Sequence, residues 1–377
     1  MSTEANVGEY RLWPRLTDGR RRATGPAILN AMVDWQLAAK VAEGVAALQP
    51  SGDPGPFQAL VRPADESERL VSEYTGLAPT AGALPVAEAV DRAAWIHANL
   101  DAMRGVLEPA AAKATERMGA LGGAVGGAAG AVLAVEAGAI SGFLAGRVLG
   151  QYEFPVLDPS APARLLFVAP NLGHAAISLD AEADRLLRWV ALHEITHALQ
   201  FGGVPWLREH LAGMVRELAA ALDLDPGKLF GGLPGLDDLR GLVDAVRDRG
   251  LAAVILGPER RELMDGVQAF MAVLEGYAEH VMDAVGADVI DDLPRLRAAL
   301  ERRRADRTGL LRLFEKLIGM DMKLRQYEQG KRFCDGVVER AGIAGLNRVW
   351  EGPDHLPTLA ELDDPAGWLA RTAPAAA

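Results

Sequence analysis

The sequence predicts a mainly α fold of the α+β kind: a large helical body with a small β hairpin or sheet beside one central helix. Three observations carry this expectation. Apolar residues recur at helical spacing through most of the chain, in segments punctuated by Gly and Pro. One short run, Arg164 to Asn171, has the continuous apolar character of a strand instead. The stretch Leu186 to Gln200 reads as a buried helix, because Leu186, Val190, His193 and His197 follow one another at helical spacing while Leu192, Ile195 and Leu199 form a second stripe.

Taken in order, residues 1–24 are polar, contain Arg20-Arg21-Arg22, and read as a flexible arm. A helical region is expected over 25–150. Its first helix begins at Gly25-Pro26 and runs through Val33-Asp34-Trp35 to Val45, and further helices cover Phe57 to Arg62, Glu66 to Gly76 and Pro85 to Val106. His97, with no second ligand one turn away, is expected to be structural. Residues 121–146 carry Glu136 as their only charge and place small residues at every fourth position, from Gly122 through Gly130 to Gly146. The length suits a membrane span, but a Gly/Ala composition around a central carboxylate drives insertion poorly. A buried helix packed closely on a neighbour is the expectation.

A core is expected over 151–286. In it Arg164 to Asn171 is read as an edge strand ended by Pro170, paired with a second short strand from His174 to Leu179. That edge is a candidate rail for an extended peptide, or a plain support hairpin. Ser178 or Asp180 would cap the following helix, which stops at Gly202-Gly203. A helix follows from Trp206 to Leu222, then a Gly/Pro loop over 226–234, and Pro258 opens a long helix closed by Gly286. The last region, 287–377, is expected to be helical over Leu296 to Lys316 and Met320 to Ala341. Its tail is broken by Gly352-Pro353 and Pro357 and packs across the body.

Composition narrows the function. A net charge of -12 argues against nucleic acid as a partner, since phosphate contacts need a basic face; Arg302-Arg303-Arg304 is flanked by Glu301 and Asp306 and reads as a solvated helix face. With Cys334 as the only cysteine, neither an intrachain disulfide nor a cysteine-based zinc site can form. No secretion signal is seen at Met1-Ser2-Thr3, so a cytoplasmic protein is expected.

The chemistry lies in His193-Glu194-Ile195-Thr196-His197. Histidines four apart on a helix leave the same face and can share one metal ion, and Glu194 then stands beside it, where a carboxylate can take a proton from water. A catalytic zinc needs a third protein ligand. In Leu274-Glu275-Gly276-Tyr277-Ala278-Glu279-His280, carboxylates appear on a face that Val267 and Met271 make apolar, and a buried carboxylate needs a partner. Glu275 is the first choice of ligand, with Glu279 or His280 as alternates or as supporting groups. The short-spaced third histidine of the metzincin pattern is missing. Tyr277, Tyr327 and His280 are candidate donors to a developing oxyanion, and Lys323, Arg325 and Tyr327 are candidates to line the cleft.

The chain resembles the uncharacterised zincin-like hydrolases of actinobacteria and Chloroflexi, a branch of which is associated with deazaflavin coenzyme biosynthesis. The resemblance rests on Val33-Asp34-Trp35, Leu149-Gly150-Gln151-Tyr152, Ala169-Pro170-Asn171, Leu192 to Phe201, Leu274 to His280, Met322 to Gly330, Trp350 and Leu356-Pro357-Thr358. It implies a mostly helical protein with a zincin-like core and one zinc. Glu275-Gly276 is also similar to the Glu-Gly pair of gluzincin aminopeptidases, which there follows the histidine motif closely; here it comes 78 residues after His197. The expected function is a zinc-dependent hydrolase, a gluzincin-type metallopeptidase acting on peptide or protein, with Glu194 as general base. The alternatives are an inactive zincin-fold protein that binds metal or a partner, and a membrane-associated metalloprotease.

Overall fold

Asp34 starts the first helix of the computed structural model by accepting hydrogen bonds from the backbone N–H groups of Gln36 and Leu37, at 3.1 and 3.0 Å. The structure describes residues 33–373 apart from 59–60, 81, 119–121, 159, 222–260 and 306–319. The arm, the helix start at Gly25-Pro26, the 226–234 loop and Pro258 lie outside the described residues, as do the side chains of Lys323, Arg325 and Tyr327.

The elements run α1 (Trp35–Ala47), α2 (Val61–Thr75), β1 (Ala87–Val90), α3 (Arg92–Met118), α4 (Gly122–Ala145), β2 (Gly150–Glu153), β3 (Arg164–Val168), α5 (Ala169–Leu179) and α6 (Ala183–Gly203). After these come α7 (Leu207–Ala221), α8 (Arg261–Val289), α9 (Leu293–Ala305), α10 (Met320–Leu346) and α11 (Pro365–Arg371). The protein is therefore mainly helical with a small sheet, as the sequence predicts, and the described residues pack as one compact unit.

Strand β3 divides the interior. It pairs in parallel with β1, Ala87 opposite Leu165, and antiparallel with β2, Gly150 opposite Phe167. Leu165 and Phe167 point into a core built on α2, α6, α8 and α10, whereas Leu166 and Val168 point into a second core with α1, α3 and α4. Both faces of the strand are buried, which explains its unbroken apolar run.

This arrangement corrects the expected hairpin. His174 to Leu179 is not a strand but the second half of α5, and Pro170 sits in the first turn of that helix, where a missing N–H costs nothing. With both edges of β3 paired, it offers no rail to a peptide. The third strand comes instead from Ala87–Val90, expected to be helical, where parallel pairing with β3 overrides local preference. Neither Ser178 nor Asp180 caps α6: Ser178 is within α5, Asp180 ends α5 in the left-handed region (φ 50°), and Glu182 precedes α6 without a side-chain cap.

Other boundaries shift for packing reasons. The expected helix over Phe57 to Arg62 is a 3-10 turn, Gly55–Phe57, followed by α2. Gly286 does not close α8, which continues to Val289 as Val285 and Ile290 bury themselves in the core. Helix α10 runs beyond Ala341 with a kink at Gly342 (φ 67°). The tail packs on the body through Trp368, fully buried edge-on to Phe333.

The Gly/Ala helix α4 lies on α1, and its small-residue strip is what permits the approach: a Cβ on Gly138 or Gly142 would overlap the carbonyl oxygens of Ala38 and Ala42. Among the described side chains of α4, those turned to α1 and α3, such as Ala134, Ser141 and Ala145, are buried. Val132, Leu133 and Val135, on the other side, are exposed. Among the described residues, no helix is long and apolar enough to cross a membrane.

The contrast between two glycines tests this packing. Gly142→Ala is expected to lower unfolding free energy by about 1–3 kcal/mol through overpacking. Gly44→Ala, on α1 with nothing within 4 Å of its would-be Cβ, is expected to raise it by up to ~1 kcal/mol. Urea titration followed by circular dichroism measures both, and a Gly142→Ala as stable as the parent would contradict the close approach.

Candidate metal centre

On α6, residues spaced by four share a face, and Trp189, His193 and His197 form such a row. The Trp189 ring lies parallel to that of His193, with centroids 6.4 Å apart, and the two imidazoles meet edge to face at 4.6 Å. Their Nε2 atoms are 3.2 Å from each other. Across the cleft, α8 brings Glu275, whose Oε2 lies 3.7 Å from His193 Nε2 and 3.6 Å from His197 Nε2.

Three donor atoms thus converge on one point. Ligand atoms placed tetrahedrally at zinc bond lengths would stand about 3.3 Å apart, close to the 3.2, 3.6 and 3.7 Å observed. The residues fit a metal ion, and among the described residues this trio forms a metal-capable group. Their side chains are 22, 13 and 18 % exposed, so the cluster is sheltered yet reachable from solvent.

Supporting contacts orient the imidazoles. His197 Nδ1 lies 2.8 Å from Gln200 Oε1 and His193 Nδ1 3.3 Å from the Met282 sulfur, leaving both Nε2 atoms turned to the shared point. Burial by itself would lower the His197 pKa, but the Glu275 and Glu194 carboxylates and the Gln200 hydrogen bond outweigh it and push it up to about 9. Burial pushes Glu194 up to about 7, against the opposing pull of His197 and a backbone hydrogen bond. That bond comes from Tyr152 N–H to Glu194 Oε2, 2.9 Å long, and it places strand β2 directly over the Glu194 carboxylate. Gly150 makes room: a Cβ there would sit 2.6 Å from Glu194 Cγ.

Tyr277, Glu279 and His280 have other partners. Tyr277 is fully buried with its hydroxyl donating to Asn347 Oδ1 (2.8 Å) and its ring edge-on to Trp350, and burial holds its pKa above the usual phenol range. Glu279 is paired with Arg297 at 3.0 Å. His280 lies about 140° around α8 from Glu275, with Nδ1 2.7 Å from Asp335 Oδ1 and Nε2 2.7 Å from the Tyr74 hydroxyl. Tyr327 is on α10, with its side chain outside the described residues. His97 pairs with Glu43 at 3.1 Å on the surface, a structural contact.

Sequence reasoning gave no role to Gly150, Tyr152 or Gln200. Gln200, three residues after His197 on one helical face, carried a usable spacing signal; the other two reach the site through strand pairing, which leaves no local pattern.

Compared with known families, residues 33–369 match the zincin-like metallopeptidases. The chain belongs to that family. A crystal structure from Chloroflexus aurantiacus, described provisionally as a hydrolase with a novel fold, superposes on this zincin-like protein with a TM-score of 0.66 at 28 % identity, covering 90 % of this chain and 98 % of the other. Comparison with curated proteins gives no match. Membership places this zincin-like chain in a class of metal-dependent hydrolases.

Two outcomes are expected from metal analysis. His193→Ala and Glu275→Gln lose the bound metal while Glu279→Gln keeps it; the reverse pattern for the two glutamates would overturn the ligand assignment. Because metal must displace the proton that His197 holds up to about 9, apparent affinity should rise about tenfold per pH unit from 7 to 9 and flatten above. Chelator competition across that range measures it.

Proposed function

We propose that the protein is a zinc-dependent peptidase of the Glu-ligand zincin type, holding one zinc per chain through His193, His197 and Glu275 and using Glu194 as general base. The observation that carries this is the Glu194 carboxylate, anchored by one oxygen beside a cluster able to hold metal. Bound there, zinc would polarise a peptide carbonyl and acidify a water molecule. Glu194 does the proton work. Its Oε2 is committed to the Tyr152 N–H, so Oε1 takes the proton from water and returns it to the leaving amine. A base with a pKa of about 7 before metal binding can both accept and release a proton near neutrality, and a nearby cation strengthens its carboxylate form.

The substrate class is peptide or protein, with no role for nucleic acid, and the setting is the cytoplasm. The single cysteine, Cys334, is a free thiol fully buried in the core, which suits a reducing compartment.

The test compares Glu194→Gln with the parent on a mixed peptide library, both loaded with zinc. The variant is expected to keep its metal and to lose at least ~100-fold in hydrolysis. Identical traces from the two, at the level of buffer alone, would defeat the enzyme reading and leave a metal-binding protein without turnover.

A further inference from the structure

Gln200 is fully buried and makes two hydrogen bonds whose directions determine each other. Its Nε2 lies 3.1 Å from the carbonyl oxygen of Leu274, which can only accept, so the amide nitrogen must face that side. The amide oxygen therefore faces His197 Nδ1 at 2.8 Å, and since an amide oxygen can only accept, Nδ1 must carry the hydrogen. A neutral imidazole with hydrogen on Nδ1 has its lone pair on Nε2, the atom turned to His193 Nε2 and Glu275 Oε2.

Leu274 is the residue before Glu275. One side chain thus fixes the tautomer of a candidate ligand on α6 and grips the turn of α8 that presents the candidate ligand from the other helix. The opposite side of that turn is fixed as well, because Gly276 meets the backbone of Gly330 on α10 so closely that a Cβ on either would overlap main chain. A change at Gln200 cannot be absorbed by α8 shifting away toward α10.

We infer that Gln200 is a positioning residue for the metal: by accepting from His197 Nδ1–H and donating to the Leu274 carbonyl, it sets which imidazole nitrogen binds and how far apart the two ligand-bearing helices stand. The inference rests on the metal reading proposed above and adds to it a residue that touches neither metal nor substrate. Gln200→Glu separates its two roles, since a carboxylate still accepts from His197 but cannot donate to Leu274. Gln200→Met, of similar length, removes both.

The experiment measures zinc affinity of the full chain by chelator competition. Gln200→Met is expected to bind zinc 10–100-fold more weakly than the parent, the usual cost of losing an outer-shell partner, and Gln200→Glu to recover part of that loss. Long-range proton–nitrogen NMR on the zinc-loaded parent protein gives a reading that does not depend on a variant folding: His197 should show hydrogen on Nδ1 and zinc on Nε2. A parent protein with no zinc affinity would overturn this inference together with the proposed function. Zinc bound normally by the parent, but held within twofold as tightly by Gln200→Met, no more tightly by Gln200→Glu than by Gln200→Met, or coordinated through His197 Nδ1, would overturn the role of Gln200 alone.

Discussion

Two imidazole nitrogens and a carboxylate oxygen facing one another within 4 Å, on helices that shelter them from water, need a positive charge at their centre. Against the effect of burial, the Glu275 and Glu194 carboxylates push the His197 pKa up to about 9, which favours a proton there. A divalent cation answers that need better, with more charge and with bonds to all three donors at once. Much of the surrounding fold serves to keep the three atoms together: α6 sets the histidine spacing, α8 brings Glu275 from far along the chain, and α10 closes on α8 at Gly276.

The small sheet has its own part in the site. β3, buried on both faces, joins the two cores and supports β2, and β2 ends up as the strand that faces α6. Its Tyr152 N–H holds one oxygen of Glu194, and its Gly150 leaves the space for that side chain. The Tyr152 ring, stacked on Phe201 with its hydroxyl bound by Arg208, fixes the strand against α6. The Glu194 carboxylate is thereby held by main chain, which has fewer ways to move than a side-chain partner would.

What could be read from the sequence follows physical locality. His193, Glu194 and His197 obey the period of one helix, so their common face was visible without a structure. Glu275 was legible because a carboxylate interrupts an apolar stripe, whereas Glu279, one turn on, gave the same signal and is satisfied by Arg297, a residue from another helix. Tyr277 and His280 are polar groups answered by distant partners, Asn347 in one case and Tyr74 with Asp335 in the other. No local pattern announces those partners. The helical body was equally plain, but Ala87–Val90 became a strand and His174–Leu179 a helix because strand pairing at β3 and a proline at a helix start outweigh local apolar patterning.

The central claim is that one metal ion binds where α6 and α8 meet. An anomalous difference map at the zinc edge, from crystals of the zinc-loaded full chain, tests it most directly. The account predicts a single peak at coordination distance, about 2.0–2.2 Å, from His193 Nε2, His197 Nε2 and a Glu275 carboxylate oxygen, with one position left open to solvent. A peak at Glu279 or His280, or the absence of any peak between the two histidines and Glu275, would contradict it.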